Sequence, residues 1–211
     1  LPSSFPPVYT PSSPRLASPG GGRRPRLTAA DMVSCVRGGQ VEQVSSLFLV
    51  TGDVIQLGPD SFVPADCRLV KGDCSLNCRD LTGSEAAVDK TSAVASGCDF
   101  DAAPTMLFSS SVVLSGAVTA VVTATGDTTL VGSLEDHSTR PLPEEVQEVH
   151  LLDVATLCAL LKTDVDQGLS QDEADQRLQQ NGENVLSDST KRCGPGGSDG
   201  KKGSGGCCVI S

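Results

Sequence analysis

Two groups of residues in this 211-residue chain have types and spacings that could do chemistry. The first is the terminal run Cys207-Cys208-Val209-Ile210-Ser211. A cysteine followed by two aliphatic residues and a terminal Ser is the pattern that prenylating enzymes read, and the final Ser favours farnesyl over geranylgeranyl. Cys208 is therefore expected to carry a prenyl group. One lipid chain holds a membrane only marginally, so Cys207 is expected to take a palmitoyl group as the second signal. Lys191, Arg192, Lys201 and Lys202 add a weak attraction to anionic lipid. The second group is the nine cysteines, an odd number scattered without paired doublets, with Cys67, Cys74 and Cys78 clustered but both histidines, His137 and His150, far along the chain. That pattern reads as reduced thiols, with no metal and no cofactor expected. There is no Walker-type phosphate loop, no Gly-x-Ser-x-Gly elbow and no His placed with a Ser or Cys nucleophile.

The elements that position these residues must be small. Aromatics are 3% of the chain and Trp is absent, so the core has to be built from Val, Leu, Ala and Thr, which suits β-rich packing. The formal charge of -10 excludes the concentrated basic surface that nucleic-acid binding needs. Charge is also uneven: residues 141–189 hold eleven acids against Lys162 and Arg177, while residues 1–26 hold Arg15, Arg23, Arg24 and Arg26 and no acid. No apolar run reaches the roughly 18 residues that span a bilayer, the best being broken by Ser115, Gly116 and Thr119. The chain opens on Leu1 with no charged start before an apolar block, so no signal peptide is expected and the chain reads as incomplete or processed.

Residues 1–30, rich in Pro, Ser, Gly and Arg, are expected to be a disordered arm. From 31 to 136 short β-type runs alternate with turn residues, and strands are expected at 41–50, 53–57, 67–70, 109–114 and 118–125. That spacing, with no helical pattern between strands, implies a sandwich or distorted barrel. From 144 to 187 the period becomes helical. Val149, Leu152, Leu157, Leu160 and Leu161 fall on one face, Ser170 caps a second helix with Glu173 returning the bond, and Gly182 stops it. A helical hairpin this short is expected to dock weakly. Residues 188–211 are expected to be a flexible tether.

Several stretches of the β-rich part resemble a known family. Thr51-Gly52-Asp53 followed by Pro64-Ala65-Asp66, Asp80-Leu81-Thr82-Gly83, Phe108-Ser109-Ser110 and Ala124-Thr125-Gly126-Asp127 are similar, in order and spacing, to the actuator domain of P-type cation ATPases. The resemblance implies a mainly β, distorted jelly-roll domain. The helical part, through Leu160-Leu161-Lys162-Thr163-Asp164, Gly168-Leu169-Ser170 and Gly182-Glu183-Asn184-Val185-Leu186, resembles the N-terminal cation-transporter domain of the same family, which there precedes the actuator. Here it follows, so the order is reversed. The end Gly-Gly-Cys-Cys-Val-Ile-Ser resembles the prenylated tail of Ras GTPases, without their nucleotide motifs.

In the family a Thr-Gly-Glu-Ser loop presents its Glu to the phosphorylated aspartate. Here the loop is Thr82, Gly83, Ser84 and Glu85, so the carboxylate arrives one residue late, and in an extended segment one residue reverses the face. No Asp-Lys-Thr-Gly phosphorylation sequence is present. The expected reading is a protein that is not an enzyme: a lipid-anchored scaffold or regulator at the cytoplasmic face of a membrane, with cation pumps as partners and no nucleic acid. The alternatives are an accessory actuator piece of a split pump and a rearranged pump fragment without function.

Overall fold

In the computed structural model, residues 31–94, 97–135 and 148–186 are described. The arm at 1–30 and the tether at 188–211, with Cys207 and Cys208, lie outside the described residues. The fold is mainly β, in two antiparallel sheets with few helices. Strands β1 (Met32–Arg37), β2 (Gln40–Ser45), β3 (Val54–Leu57), β4 (Asp66–Lys71), β7 (Met106–Leu107) and β9 (Val118–Ala124) form a six-stranded sheet in the order β2-β1-β3-β9-β4-β7. Strands β5 (Asp73–Asn77), β6 (Ala87–Thr91) and β8 (Val112–Gly116) form the smaller one, with β5 central. Short helices α1 (Arg79–Thr82) and α2 (Leu130–Glu135) punctuate the β region, and α3 (Val154–Leu161) and α4 (Gln171–Asn181) follow it.

The two-residue period of a strand explains where the core sits. Val33, Cys35, Ile55, Leu57, Cys67, Leu69, Ala120 and Val122 point from the large sheet toward Cys74, Leu76 and Val113 of the small one. The intervening residues Val36, Val54 and Val121 point the other way and meet Met106, Val149 and Leu157. The large sheet is thus covered on both faces, by the small sheet and by the helical segment. That is why β9, fourth in the order, is buried along its whole length.

Several sequence expectations change. The run 41–50 is not one strand: the Ser46 N–H still donates to the Asp31 carbonyl at 2.7 Å, in register with the β1–β2 ladder, but β2 ends at Ser45 and a 3-10 turn spans Ser46–Phe48. The run 109–114 becomes extended only from Val112, since Ser110 sits at φ 72 and the Ser109 N–H is held by Asp66 at 2.9 Å. The first helix starts at Val154, behind an Asp153 cap whose Oδ1 accepts the N–H groups of Ala155 and Thr156 at 3.0 Å each. That phase buries Leu157 but leaves Leu160 47% exposed, so Leu160 leaves the expected apolar face. In α4 the Ser170 hydroxyl accepts the Glu173 N–H, as expected, but the Glu173 carboxylate pairs with Arg177 at 2.8 Å, which satisfies it one turn further on, where the expected bond would have run back to the cap.

The helical hairpin is docked closely rather than weakly. The Arg68 guanidinium, buried in β4, donates to the carbonyls of Val149 at 3.3 Å and Leu152 at 3.1 Å. Arg177 of α4 donates to the Thr51 carbonyl at 2.7 Å and the Leu161 carbonyl at 2.9 Å. Leu169 bridges Arg37, and the Gly38 and Gly39 N–H groups donate to the Leu169 and Gln167 carbonyls at 2.9 and 2.8 Å. Gly168 makes this approach possible: it adopts φ 66, and a Cβ there would strike the Val36 carbonyl oxygen.

Candidate functional site

The loop Thr82-Gly83-Ser84-Glu85 hangs between β5 and β6 of the small sheet. Asn77 opens the turn into it by accepting the Arg79 N–H at 2.9 Å. Helix α1 closes with Gly83 in the left-handed conformation at φ 72, its N–H donating to the Arg79 carbonyl at 2.8 Å. The Thr82 hydroxyl donates to the Cys78 carbonyl at 3.1 Å and accepts the Ser84 N–H at 3.2 Å. The Ser84 hydroxyl in turn accepts the Ala86 N–H at 3.2 Å. All four loop residues are exposed.

Two features bear on what the loop can do. Ser84, at the position where the resemblance expects a carboxylate, is occupied with a local turn. Glu85 forms an ion pair with the Arg79 guanidinium on the first residue of α1. The pair is open to solvent, so it orients Glu85 more than it stabilises the fold. The loop offers one carboxylate, one cation and two hydroxyls at the surface, all engaged with each other or with the backbone.

Behind the loop the residues that carry the family pattern prove to be pins of the fold. Asp53 is fully buried and accepts Arg37 Nε at 3.0 Å, Arg37 Nη2 at 2.8 Å and the Val50 N–H at 2.9 Å. Asp66, also buried, accepts the Ser109 N–H at 2.9 Å and the Leu130 N–H at 2.6 Å, at the start of α2. Burial pushes its carboxyl up to about 6, against the pull of those two backbone donors. The Pro64 carbonyl accepts Asn184 Nδ2 at 2.9 Å.

Three of the buried cysteines are held in the protonated form. Burial raises the thiols of Cys35 and Cys67, and pushes Cys74 up to about 11 although Lys90 nearby opposes it. Lys90, opposite Cys74 in the β5–β6 ladder, donates to the Ala103 carbonyl at 2.8 Å and lies 5.6 Å from the Phe108 ring centroid. Among the described residues no group of three His, Cys, Asp or Glu could hold a metal ion, and no helix is long and apolar enough to cross a membrane.

Sequence reasoning missed Arg68, Lys90 and Asn184 as organising residues. Asn184 had a signal: it stands just after the Gly182 stop, within a stretch already noted for its pattern, where a polar residue has no helical duty left. Its side chain donates to the Ser46 and Pro64 carbonyls and accepts the Gly126 N–H at 2.8 Å.

A twisted β domain with this loop, closed on one side by a helical hairpin, is an actuator-type module. Residues 27–138 match the family model for the P-type ATPase actuator domain, and residues 149–193 match that for the cation transporter/ATPase N-terminus. The chain belongs to the P-type ATPase actuator domain family. It is 37% identical over 109 residues to plasma membrane ATPase 1 of Candida albicans, covering 51% of this chain and 11% of that protein. It is 31% identical over 121 residues to the endoplasmic reticulum calcium ATPase srcA of Aspergillus fumigatus, covering 55% and 12%. A solved zinc-transporting PIB-type ATPase in its E2.Pi state is similar with TM-score 0.41 and 17% identity, over 62% of this chain and 21% of that one. The match thus spans about a tenth of the length of these curated relatives.

Proposed function

We propose that the chain is a non-catalytic, lipid-anchored relative of the pump actuator, acting as a scaffold or regulator where cation pumps expose their own domains at the cytoplasmic face of a membrane. The observation that carries this reading is the state of the loop: Ser84 caps the Ala86 N–H and Glu85 is paired with Arg79. A carboxylate meant to position water for phosphate removal tolerates little displacement, and misplacement by about an ångström can reduce a rate about a hundredfold. The lipid belongs to Cys208 and Cys207, by the chemistry of the terminal sequence. The purified chain is expected to release no phosphate from ATP or an acyl phosphate above a buffer control. Release that disappears in Glu85→Gln would overturn the non-catalytic reading.

A second reading is an actuator piece that works with the remaining domains of a pump. It is favoured by the docking of the helical segment, which makes one body of the two family-matched segments despite their order along the chain. Adding the chain to a cation pump lacking its own actuator domain, and following decay of the phosphoenzyme, tests this reading; faster decay would support it over the first.

A further inference from the structure

The loop Thr82-Gly83-Ser84-Glu85 hangs from two anchored stems. Every residue from Thr82 to Asp89 is exposed, and Leu81 on the entry side and Lys90 on the exit side are the first to turn inward. Lys90 is buried, with its ammonium donating to the Ala103 carbonyl at 2.8 Å, and the Thr91 N–H donates to the Pro104 carbonyl at 3.0 Å. Leu81 packs against the cluster that contains Ala103, Met106 and Phe108. The exit stem therefore rests on the connection 98–108, and the entry stem on the cluster which that connection helps to build.

The helical segment grips the same connection from the other side. The buried His150 places its ring Nε2 3.1 Å from the Cys98 carbonyl; a carbonyl only accepts, so Nε2 carries the proton and donates. Nδ1 has no hydrogen-bond partner among the described residues, so this one bond and an edge contact with Phe100, centroids 5.7 Å apart, orient the ring. The Thr105 hydroxyl donates to the His150 carbonyl at 3.1 Å. Phe100 meets Phe108 edge-on at 5.4 Å, and the Lys90 ammonium lies 5.6 Å from the Phe108 centroid. His150, Phe100, Phe108 and Lys90 thus touch in series.

We infer that the connection 98–108 is a strap through which docking of the helical segment sets the position of the loop's stems. The two arrangements are the helical segment docked and released. A buried ammonium is costly without an acceptor, so Lys90 has to follow the Ala103 carbonyl when the strap shifts, and β6 moves with it. Were these contacts independent pieces of core, each could be removed without effect on the other. Such a strap holds the loop whichever reading of its function stands, and its test reads backbone exchange, not phosphate release.

The experiment measures amide exchange in the full chain. His150→Phe keeps a ring beside Phe100 but loses the donor to Cys98, and Lys90→Met removes the ammonium. His150→Phe is expected to speed exchange in residues 87–91 about fivefold, the share of one hydrogen bond, while residues 33–36 change less than about twofold. Coupling is reciprocal, so Lys90→Met should speed exchange in residues 154–161 by a similar factor. The double variant should exchange more slowly than the product of the two single effects. Leu160→Ala, an exposed change on the same helix, should leave residues 87–91 unaffected. If Lys90→Met does not fold, Phe100→Leu breaks the series between His150 and Phe108 and should speed both regions. No change in residues 87–91 of the folded His150 variant, equal acceleration of residues 33–36, an equal effect of Leu160→Ala, or single effects that simply multiply would each overturn the strap.

Discussion

Arg68 and Val149 join the two family-matched parts of the chain: the Arg68 Nε, buried in the central sheet, donates to the Val149 carbonyl at 3.3 Å, 81 residues away. The same guanidinium reaches Leu152 at 3.1 Å, and its burial lowers its own pKa, so the charge is tolerated only because carbonyls solvate it. Arg68→Met should keep the β domain folded but release the helical segment. Hydrogen bonds to charged groups contribute about 1.5–3 kcal/mol each. Amide exchange in residues 154–181 should therefore accelerate at least tenfold while that of β9 changes little. Equal acceleration in both would show that the helices and sheets unfold as one unit.

Leu157 and Leu160 separate packing from periodicity. Leu157 is buried against Val36, Val54 and Val121, whereas Leu160 is nearly half exposed. Leu157→Ala should lower stability by about 2–5 kcal/mol, and Leu160→Ala by less than about 0.5 kcal/mol. Denaturant melts of the two variants beside the parent check this; equal losses would place both on the buried face.

That pair also marks the limit of what the sequence made legible. The β texture, the helical switch and the Ser170 cap were readable because each depends on local spacing. The phase of α3 was not, because it is set by Asp153, a cap four residues into the stretch that periodicity treated as helix. Strands β5 and β6 were missed because each offers few apolar residues to the core: β5 buries only Cys74 and Leu76 between Asp73, Ser75 and Asn77, and β6 buries only Lys90. In the loop, the displaced Glu85 was legible from the residue order, but its ion pair with Arg79 was not: it requires the single turn of α1 to bring positions six apart together. The pins Arg37–Asp53 and Arg68–Val149 join residues too distant for any local rule to predict.

Asp66 gives the stability a specific pH dependence. Burial raises its folded carboxyl to about 6, above the ordinary carboxylate value of about 3.9. The folded state therefore binds the proton more tightly, and this group's contribution grows as pH falls from about 6 toward 4, by ~2–3 kcal/mol. Asp153 and Asp164 act oppositely at lower pH. The Thr156 hydroxyl and N–H hold the first below its usual range, and the Gln167 and Asp166 N–H groups hold the second. Asp66→Asn should remove the gain between pH 7 and 5, leaving the variant's stability flat there relative to the parent. Parallel pH profiles would exclude Asp66 as the source.

The exposed loop should tolerate exchange of its two residues. Ser84 and Glu85 touch only local backbone and Arg79, and the exposed pair with Arg79 is worth about 0–1 kcal/mol. Ser84→Glu with Glu85→Ser should change stability by less than about 0.5 kcal/mol. A large fall in melting temperature would show that the loop is held by packing.

Membrane residence should depend on Cys208 first and Cys207 second. Under the proposed lipidation the prenylating enzyme reads the terminal four residues, so Cys208→Ser would lose the first lipid and with it the substrate for the second. A single prenyl chain attaches reversibly, whereas a neighbouring acyl chain adds about 0.8 kcal/mol per buried methylene and slows release. Cys207→Ser should therefore remain farnesylated but divide between internal membranes and cytosol. Neutralising Lys201 and Lys202 should have a smaller effect, about 1 kcal/mol per residue at most. Fractionation of the three variants beside the parent, with mass measurement of the C-terminal peptide, decides between them. Equal membrane recovery for Cys208→Ser and the parent would remove the lipid from the proposed function.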